Sequence, residues 1–166
     1  MASMKSVYVC GLLIIISTLF GPLNAADIIT KTQFISDDIN EALLSSDGRF
    51  KLGFFSPGNS VRHVGIWYRF LEKQVVWVAN REIPVKNNST GILKIAKDGN
   101  LAVFNGTAKN DPLWSTNISM ETTNSSAKLL PSGNLVLVIK NESANNRETI
   151  IWQSFDYPTD TILPEM

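Results

Sequence analysis

Few side chains in this sequence could make or break covalent bonds. His63 is the only histidine, and a hydrolytic triad needs such a base beside a nucleophile. No Gly-x-Ser-x-Gly phrase accompanies it, so His63 reads as a surface or turn-flanking residue. Asp156 and Asp160 flank Pro158 and have the residue types of a glycosidase pair. Four positions apart in a proline-containing turn, they are expected to cap and shape that turn instead. A zinc site needs several His or Cys ligands, and the one cysteine is Cys10. No catalytic residue, metal site or cofactor is expected, and the chain does not read as an enzyme. In residues 100–104 a period of two sends Leu101 and Val103 to one face and Asn100, Ala102 and Phe104 to the other. Residues 134–138 divide in the same way. The leucine face, with the tryptophans, fills an interior; the face carrying Asn100 or Asn134 is presented to solvent or a ligand.

These faces must be positioned by strands, and the strands recur. Trp77, Trp114 and Trp152 sit in similar phrases at spacings of 37 and 38 residues. Ahead of them lie Asp47-Gly48-Arg49-Phe50, Asp98-Gly99-Asn100-Leu101 and Ser132-Gly133-Asn134-Leu135. A fixed period of this size signals a repeat architecture. Residues 27–35 read as a first strand, 49–55 as a strand stopped by Ser56-Pro57-Gly58-Asn59, and 63–70 and 74–79 as two more. Residues 80–91 read as a loop. Residues 92–96 and 100–104 flank Lys97-Asp98-Gly99, a hairpin signal because Asp-Gly readily takes positive φ. The hairpin returns around Pro131-Ser132-Gly133. No 12-residue window shows helical periodicity. The class is all-β, about a dozen short strands in a barrel, prism or sandwich.

Residues 1–25 read as a secretory signal peptide: Lys5 is the only charge, residues 7–20 are apolar, and small residues close the segment at Ala25-Ala26. The apolar run is too short to span a bilayer. Removing the signal leaves 14 Lys and Arg against 15 Asp and Glu, a net charge of −1. Neutrality argues against nucleic acid or an anionic membrane as partner. Residues 26–166 form one domain that must be stabilised by packing, since Cys10 leaves with the signal. Six Asn-x-Ser/Thr acceptors, at Asn87, Asn88, Asn105, Asn117, Asn124 and Asn141, fit a secreted glycoprotein.

Trp77-Val78-Ala79-Asn80-Arg81, the two Gly-Asn-Leu hairpins, and above all the stretch from Trp152-Gln153-Ser154-Phe155-Asp156-Tyr157 through Pro158-Thr159-Asp160-Thr161 resemble the bulb-type lectin domain of plant S-domain receptor-like kinases. Phe50-Lys51-Leu52-Gly53-Phe54-Phe55-Ser56-Pro57-Gly58 matches too, so the resemblance covers nearly all of residues 26–166. It implies a β-prism of three four-stranded sheets with pseudo-threefold symmetry and the tryptophans around the axis. Mannose-binding members carry Gln-x-Asp-x-Asn-x-Val-x-Tyr on one strand face, whose polar groups bond sugar hydroxyls. Here the middle repeat keeps Asp98 and Asn100, the later one Asn134 and Val136, and the earliest, aligned on residues 60–68, only Tyr68. Every site is degenerate by this alignment. Asp98 and Asn100 also have a structural reading as turn-capping hairpin residues.

The resemblance therefore implies an extracellular recognition domain for a mannose-type glycan or a glycoprotein. The alternative is a protein-recognition module, a receptor ectodomain fragment or soluble decoy whose sugar sites have decayed. Family receptors continue into a transmembrane helix and a kinase. The Gly-rich loop and catalytic Asp of a kinase are missing from this sequence, which stops at Met166, so it reads as truncated after the lectin domain.

Overall fold

The computed structural model describes residues 27–39, 41–58, 61–71, 74–86, 88–106, 111–119, 124–141, 147–161 and 163. The expected signal segment, residues 1–25, lies outside them. The strands are β1 (Ile28–Ile29), β2 (Phe34–Ser36), β3 (Ala42–Leu44), β4 (Phe50–Gly58), β5 (Val61–Tyr68), β6 (Val75–Val78), β7 (Val85–Lys86), β8 (Gly91–Ile95), β9 (Leu101–Asn105), β10 (Trp114–Ser115), β11 (Ser125–Leu129), β12 (Leu135–Asn141) and β13 (Arg147–Gln153). They pair in three antiparallel sheets, in the orders β1-β11-β12-β13, β2-β8-β9-β10 and β3-β4-β5-β6, with β7 also on β5. Each sheet thus takes one of the first three strands at one edge and a tryptophan strand at the other. This is the expected all-β prism.

Residues 27–35 are two strands, not one. Gln33 N–H bonds Thr30 O at 3.1 Å and the Thr30 hydroxyl donates to Gln33 Oε1 at 2.9 Å. These polar groups satisfy each other in a turn rather than in a ladder, so β1 joins β11 and β2 joins β8. The strand that begins at Phe50 runs on through Pro57 to Gly58, with a register shift between Phe55 and Gly58. Proline is tolerated there because a bulge needs no ladder donor. The expected loop at 80–91 contains the short strand β7.

The inner faces supply the core. Leu52, Val64, Ile66, Leu93, Leu101, Val103, Leu135 and Leu137 are all fully buried. Each such side chain contributes about 1.5–3 kcal/mol of transfer free energy. At the axis the rings of Trp77, Trp114 and Trp152 form a near-equilateral triangle. Centroid separations are 5.6, 5.9 and 5.8 Å, with edge-to-face angles of 75°, 67° and 73°. Edge-to-face packing sets the positive edge of one ring against the negative face of the next, and a triangle lets each ring do both. Trp77 and Trp152 are buried in the core, and Trp114, half-buried, packs against it.

Candidate functional site

The hairpins that carry the candidate residues are closed the same way in two sheets. Gly99 and Gly133 have φ of 89° and 87°, a left-handed conformation that costs a side-chain-bearing residue about 1–2 kcal/mol. Their N–H groups bond Ala96 O and Leu130 O. The next residue, Asn100 or Asn134, is then placed immediately before β9 or β12.

Both asparagines are buried, at 5% and 7% exposure, which corrects the expectation that they face solvent or ligand. Asn100 Oδ1 accepts from Thr116 Oγ1 at 2.8 Å and from Ile118 N–H at 2.7 Å. Its Nδ2 donates to Asp98 Oδ2 at 2.9 Å and to Ile118 O at 3.3 Å. The amide has two donors and two acceptor sites, and all four are used within the protein. Asn134 Oδ1 accepts from Ser154 Oγ at 3.1 Å and Phe155 N–H at 3.3 Å, and its Nδ2 donates to Gln153 Oε1 at 3.0 Å. The same hydroxyls accept the first strand amides: Leu101 N–H to Thr116 Oγ1 at 3.2 Å and Leu135 N–H to Ser154 Oγ at 2.9 Å. Each Gly-Asn-Leu hairpin is pinned through a hydroxyl two residues after its tryptophan.

Asp98 is exposed. It accepts Asn100 N–H at 3.0 Å on one oxygen and Asn100 Nδ2 on the other. A carboxylate has about four acceptor positions, so two remain for a ligand hydroxyl. Val136 is 2% exposed and pairs with Gln153 across the strands, so it too is buried rather than presented to a ligand. Gln153 in turn donates to Asp156 Oδ1 at 2.9 Å. The structure thus brings Asn134, Val136, Gln153 and Asp156 together. Gln153 and Asp156 were visible only as parts of the tryptophan phrase and its turn, because their approach to β12 depends on cross-strand register.

Tyr68 does not belong to this set. Ile66 pairs with Trp77 as Val103 pairs with Trp114 and Leu137 with Trp152. Three residues before the paired position stand Asn100, Asn134 and, in the first sheet, His63. The alignment on residues 60–68 is therefore one residue out, and a one-residue slip moves every side chain to the opposite face. Tyr68 points with Ile66 into the core, its ring 4.8 Å from Phe50. The corresponding outer positions are His63, Gly65 and Trp67. A Cβ at Gly65 would lie 2.6 Å from the Phe55 ring and 2.8 Å from Trp77 O, so no valine fits there. His63 Nδ1 lies 3.1 Å from Asn80 O, and Asn80 Oδ1 accepts Val64 N–H at 2.7 Å. Asn80 replaces the hydroxyls of Thr116 and Ser154 as the pin in this sheet. The Asp47-Gly48 turn also differs in place: it joins β3 to β4, whereas Asp98-Gly99 joins the two central strands of its sheet.

The two aspartates around Pro158 are engaged separately, Asp156 with Gln153 and Asp160 with Arg81 at 3.3 Å. No cluster of three or more His, Cys, Asp or Glu residues suited to a metal occurs among the described residues. No helix among them is long and apolar enough to cross a membrane.

Three sheets around a tryptophan axis, each with a hairpin or aromatic face turned outward, define a β-prism lectin-type domain. Residues 74–166 match the sequence profile described as D-mannose binding lectin, and the chain belongs to that family. It is 50% identical over 128 residues, 76% of this chain and 14% of the other, to an Arabidopsis thaliana protein described as a G-type lectin S-receptor-like serine/threonine-protein kinase. It is 41% identical over 152 residues, 89% of this chain and 34% of the other, to the S-locus-specific glycoprotein S6 of Brassica oleracea. The chain thus spans a minor part of the length of these relatives. Among solved structures, a monomeric monocot mannose-binding lectin from Gastrodia elata superposes with a TM-score of 0.54 over 78% of this chain and 96% of the other, at 18% identity. That likeness supports the fold.

Proposed function

We propose that residues 26–166 form an extracellular recognition domain, delivered by the signal peptide at 1–25, that binds mannose-type glycans or glycoproteins through the outer faces of the β8-β9 and β11-β12 hairpins. The observation that carries this reading is Asp98: exposed, and fixed in direction by Asn100, it has acceptor positions left for a sugar hydroxyl. Asn100 and Asn134 act by holding their hairpins, and Val136, 2% exposed, packs beneath the face. The names of the family and of the Gastrodia elata lectin support mannose as the sugar to try first.

The test is titration of the secreted, enzymatically deglycosylated protein with mannose-terminated oligosaccharides, beside an Asp98→Ala variant whose melting is measured. Saturable binding weakened in the folded variant is expected. Absence of binding at millimolar oligosaccharide would overturn sugar recognition.

A second reading, recognition of a receptor ectodomain or other protein, is favoured by the β5–β6 turn. Phe70 and Leu71 stand there at 79% and 55% exposure, an apolar tip of the kind that docks on protein. Under this reading a soluble form pairs with full-length receptors, and co-purification with a related ectodomain is the result to expect.

A further inference from the structure

Beside the tryptophan triangle, away from the hairpin faces, opens a depression of about 320 Å³ lined by Trp77, Trp114, Trp152, Asn117, Tyr157 and Thr159 among others. Its lining combines aromatic surface with uncommitted polar groups. The Trp77 indole donates to Tyr157 O at 2.9 Å, but the indole N–H groups of Trp114 and Trp152 have no hydrogen-bond partner among the described residues. The Thr159 hydroxyl is already committed to Val78 N–H at 2.8 Å. Tyr157, 57% exposed, stacks on Trp152 with centroids 5.7 Å apart and an 11° angle. An aromatic face left to solvent beside indole donors without a partner among the described residues suits the apolar face and polar rim of a pyranose ring.

Asn117 stands at this depression in the acceptor sequence Asn117-Ile118-Ser119. It is exposed and is the one non-glycine residue with positive φ, 52°, among the described residues; asparagine tolerates that conformation better than most residues. Its backbone N–H bonds Ser115 Oγ at 3.3 Å, while its side-chain amide has no partner among the described residues. Three of the other acceptors differ. Asn88 and Asn124 are exposed but do not line this depression, and Asn105 is only partly exposed.

We infer that Asn117 carries an N-linked glycan whose first N-acetylglucosamine packs into the depression over the tryptophan triangle. Attachment forms a bond between Asn117 Nδ2 and the anomeric carbon of a lipid pyrophosphate-linked oligosaccharide. It breaks the bond from that carbon to the pyrophosphate, which leaves with the lipid, and an amide proton passes to base. The ring's apolar face then covers the indoles, and its N-acetyl and hydroxyl oxygens accept from the indole N–H groups of Trp114 and Trp152. The glycan closes the open end of the core. The inference rests on the extracellular reading above and is independent of any sugar bound at the hairpins.

The test uses the full chain expressed through a eukaryotic secretory host. Glycopeptide mass spectrometry reads occupancy, and acrylamide quenching of tryptophan fluorescence reads access to the indoles. Asn117 should be occupied. Trimming the glycans enzymatically to one N-acetylglucosamine should leave quenching unchanged. Ser119→Ala, which removes the acceptor and keeps Asn117, should raise the quenching constant about twofold and lower Tm by about 3 °C, whereas Asn88→Gln should change neither. An empty Asn117 in protein glycosylated elsewhere, or equal quenching with and without the Asn117 glycan, would overturn the inference and leave the sugar-recognition reading standing. Secreted protein with no acceptor occupied would overturn the glycoprotein expectation as well.

Discussion

Asn100 and Thr116, sixteen residues apart, are joined by a 2.8 Å hydrogen bond from the Thr116 hydroxyl to Asn100 Oδ1, and the same hydroxyl accepts the buried N–H of Leu101. Asn134 and Ser154 repeat the arrangement. The hydroxyl fixes both the hairpin and the tryptophan strand. Thr116→Val keeps the volume and removes the hydroxyl, stranding the buried Leu101 N–H and leaving Asn100 Oδ1 with Ile118 N–H alone, and should cost about 1–3 kcal/mol. Thr116→Ser should recover most of that loss. Urea unfolding at equilibrium checks both.

Asn100→Ala and Asp98→Ala should separate stability from recognition. Asn100 has all four amide hydrogen-bonding positions engaged, so its loss should destabilise the fold by about 1–3 kcal/mol. Asp98 is exposed, and its loss should cost the fold under about 1 kcal/mol while weakening mannose oligosaccharide binding roughly tenfold, the equivalent of 1.4 kcal/mol. Calorimetric titration beside thermal melts distinguishes them. Equal loss of stability in both variants would count against the division of roles.

Gly133→Ala should be far more damaging than Gly106→Ala. Both glycines have positive φ, 87° and 74°, and each alanine pays about 1–2 kcal/mol of backbone strain. Around Gly106 a Cβ meets nothing within 4 Å; at Gly133 it would lie 2.8 Å from the Phe50 ring and 3.0 Å from Leu163. Overpacking adds about 1–3 kcal/mol. Melting temperatures of the two variants give the comparison directly.

Asp47 should impose a small acid dependence on stability. Its pKa is lowered from the ordinary value to about 2, first by the Ser45 hydroxyl, which donates at 2.6 Å, and next by Arg49. Because the folded value lies below the unfolded one, the stabilisation is fully present above about pH 4 and is lost as pH falls towards 2. The group is largely exposed, so the effect should stay under about 1 kcal/mol. Urea midpoints between pH 5 and 2 should fall less steeply in Asp47→Asn than in the native sequence.

The residues around the tryptophans made the fold class and its threefold character legible. The period of about 37 residues, the Asp-Gly and Ser-Gly turns, and the alternation in 100–104 and 134–138 are local properties. A turn or a strand face is set by neighbours one to four positions away, so no distant contact was needed to read them. Trp77, Trp114 and Trp152 could likewise be assigned to the core, because three large apolar rings at equal intervals have few other places to go.

What the sequence could not determine was register and partnership across strands. Tyr68 and Trp67 are adjacent, and which of them faces outward depends on Ile66 pairing with Trp77, a relationship invisible in the chain order. The split of residues 27–35 between two sheets rests on the partners β1 and β2 find far along the chain. Asn100 and Asn134 have the chemistry of sugar ligands, yet the Thr116 and Ser154 hydroxyls reach them first. Local composition fixes what a side chain can bond; only tertiary packing decides which partner is close enough to take the bond.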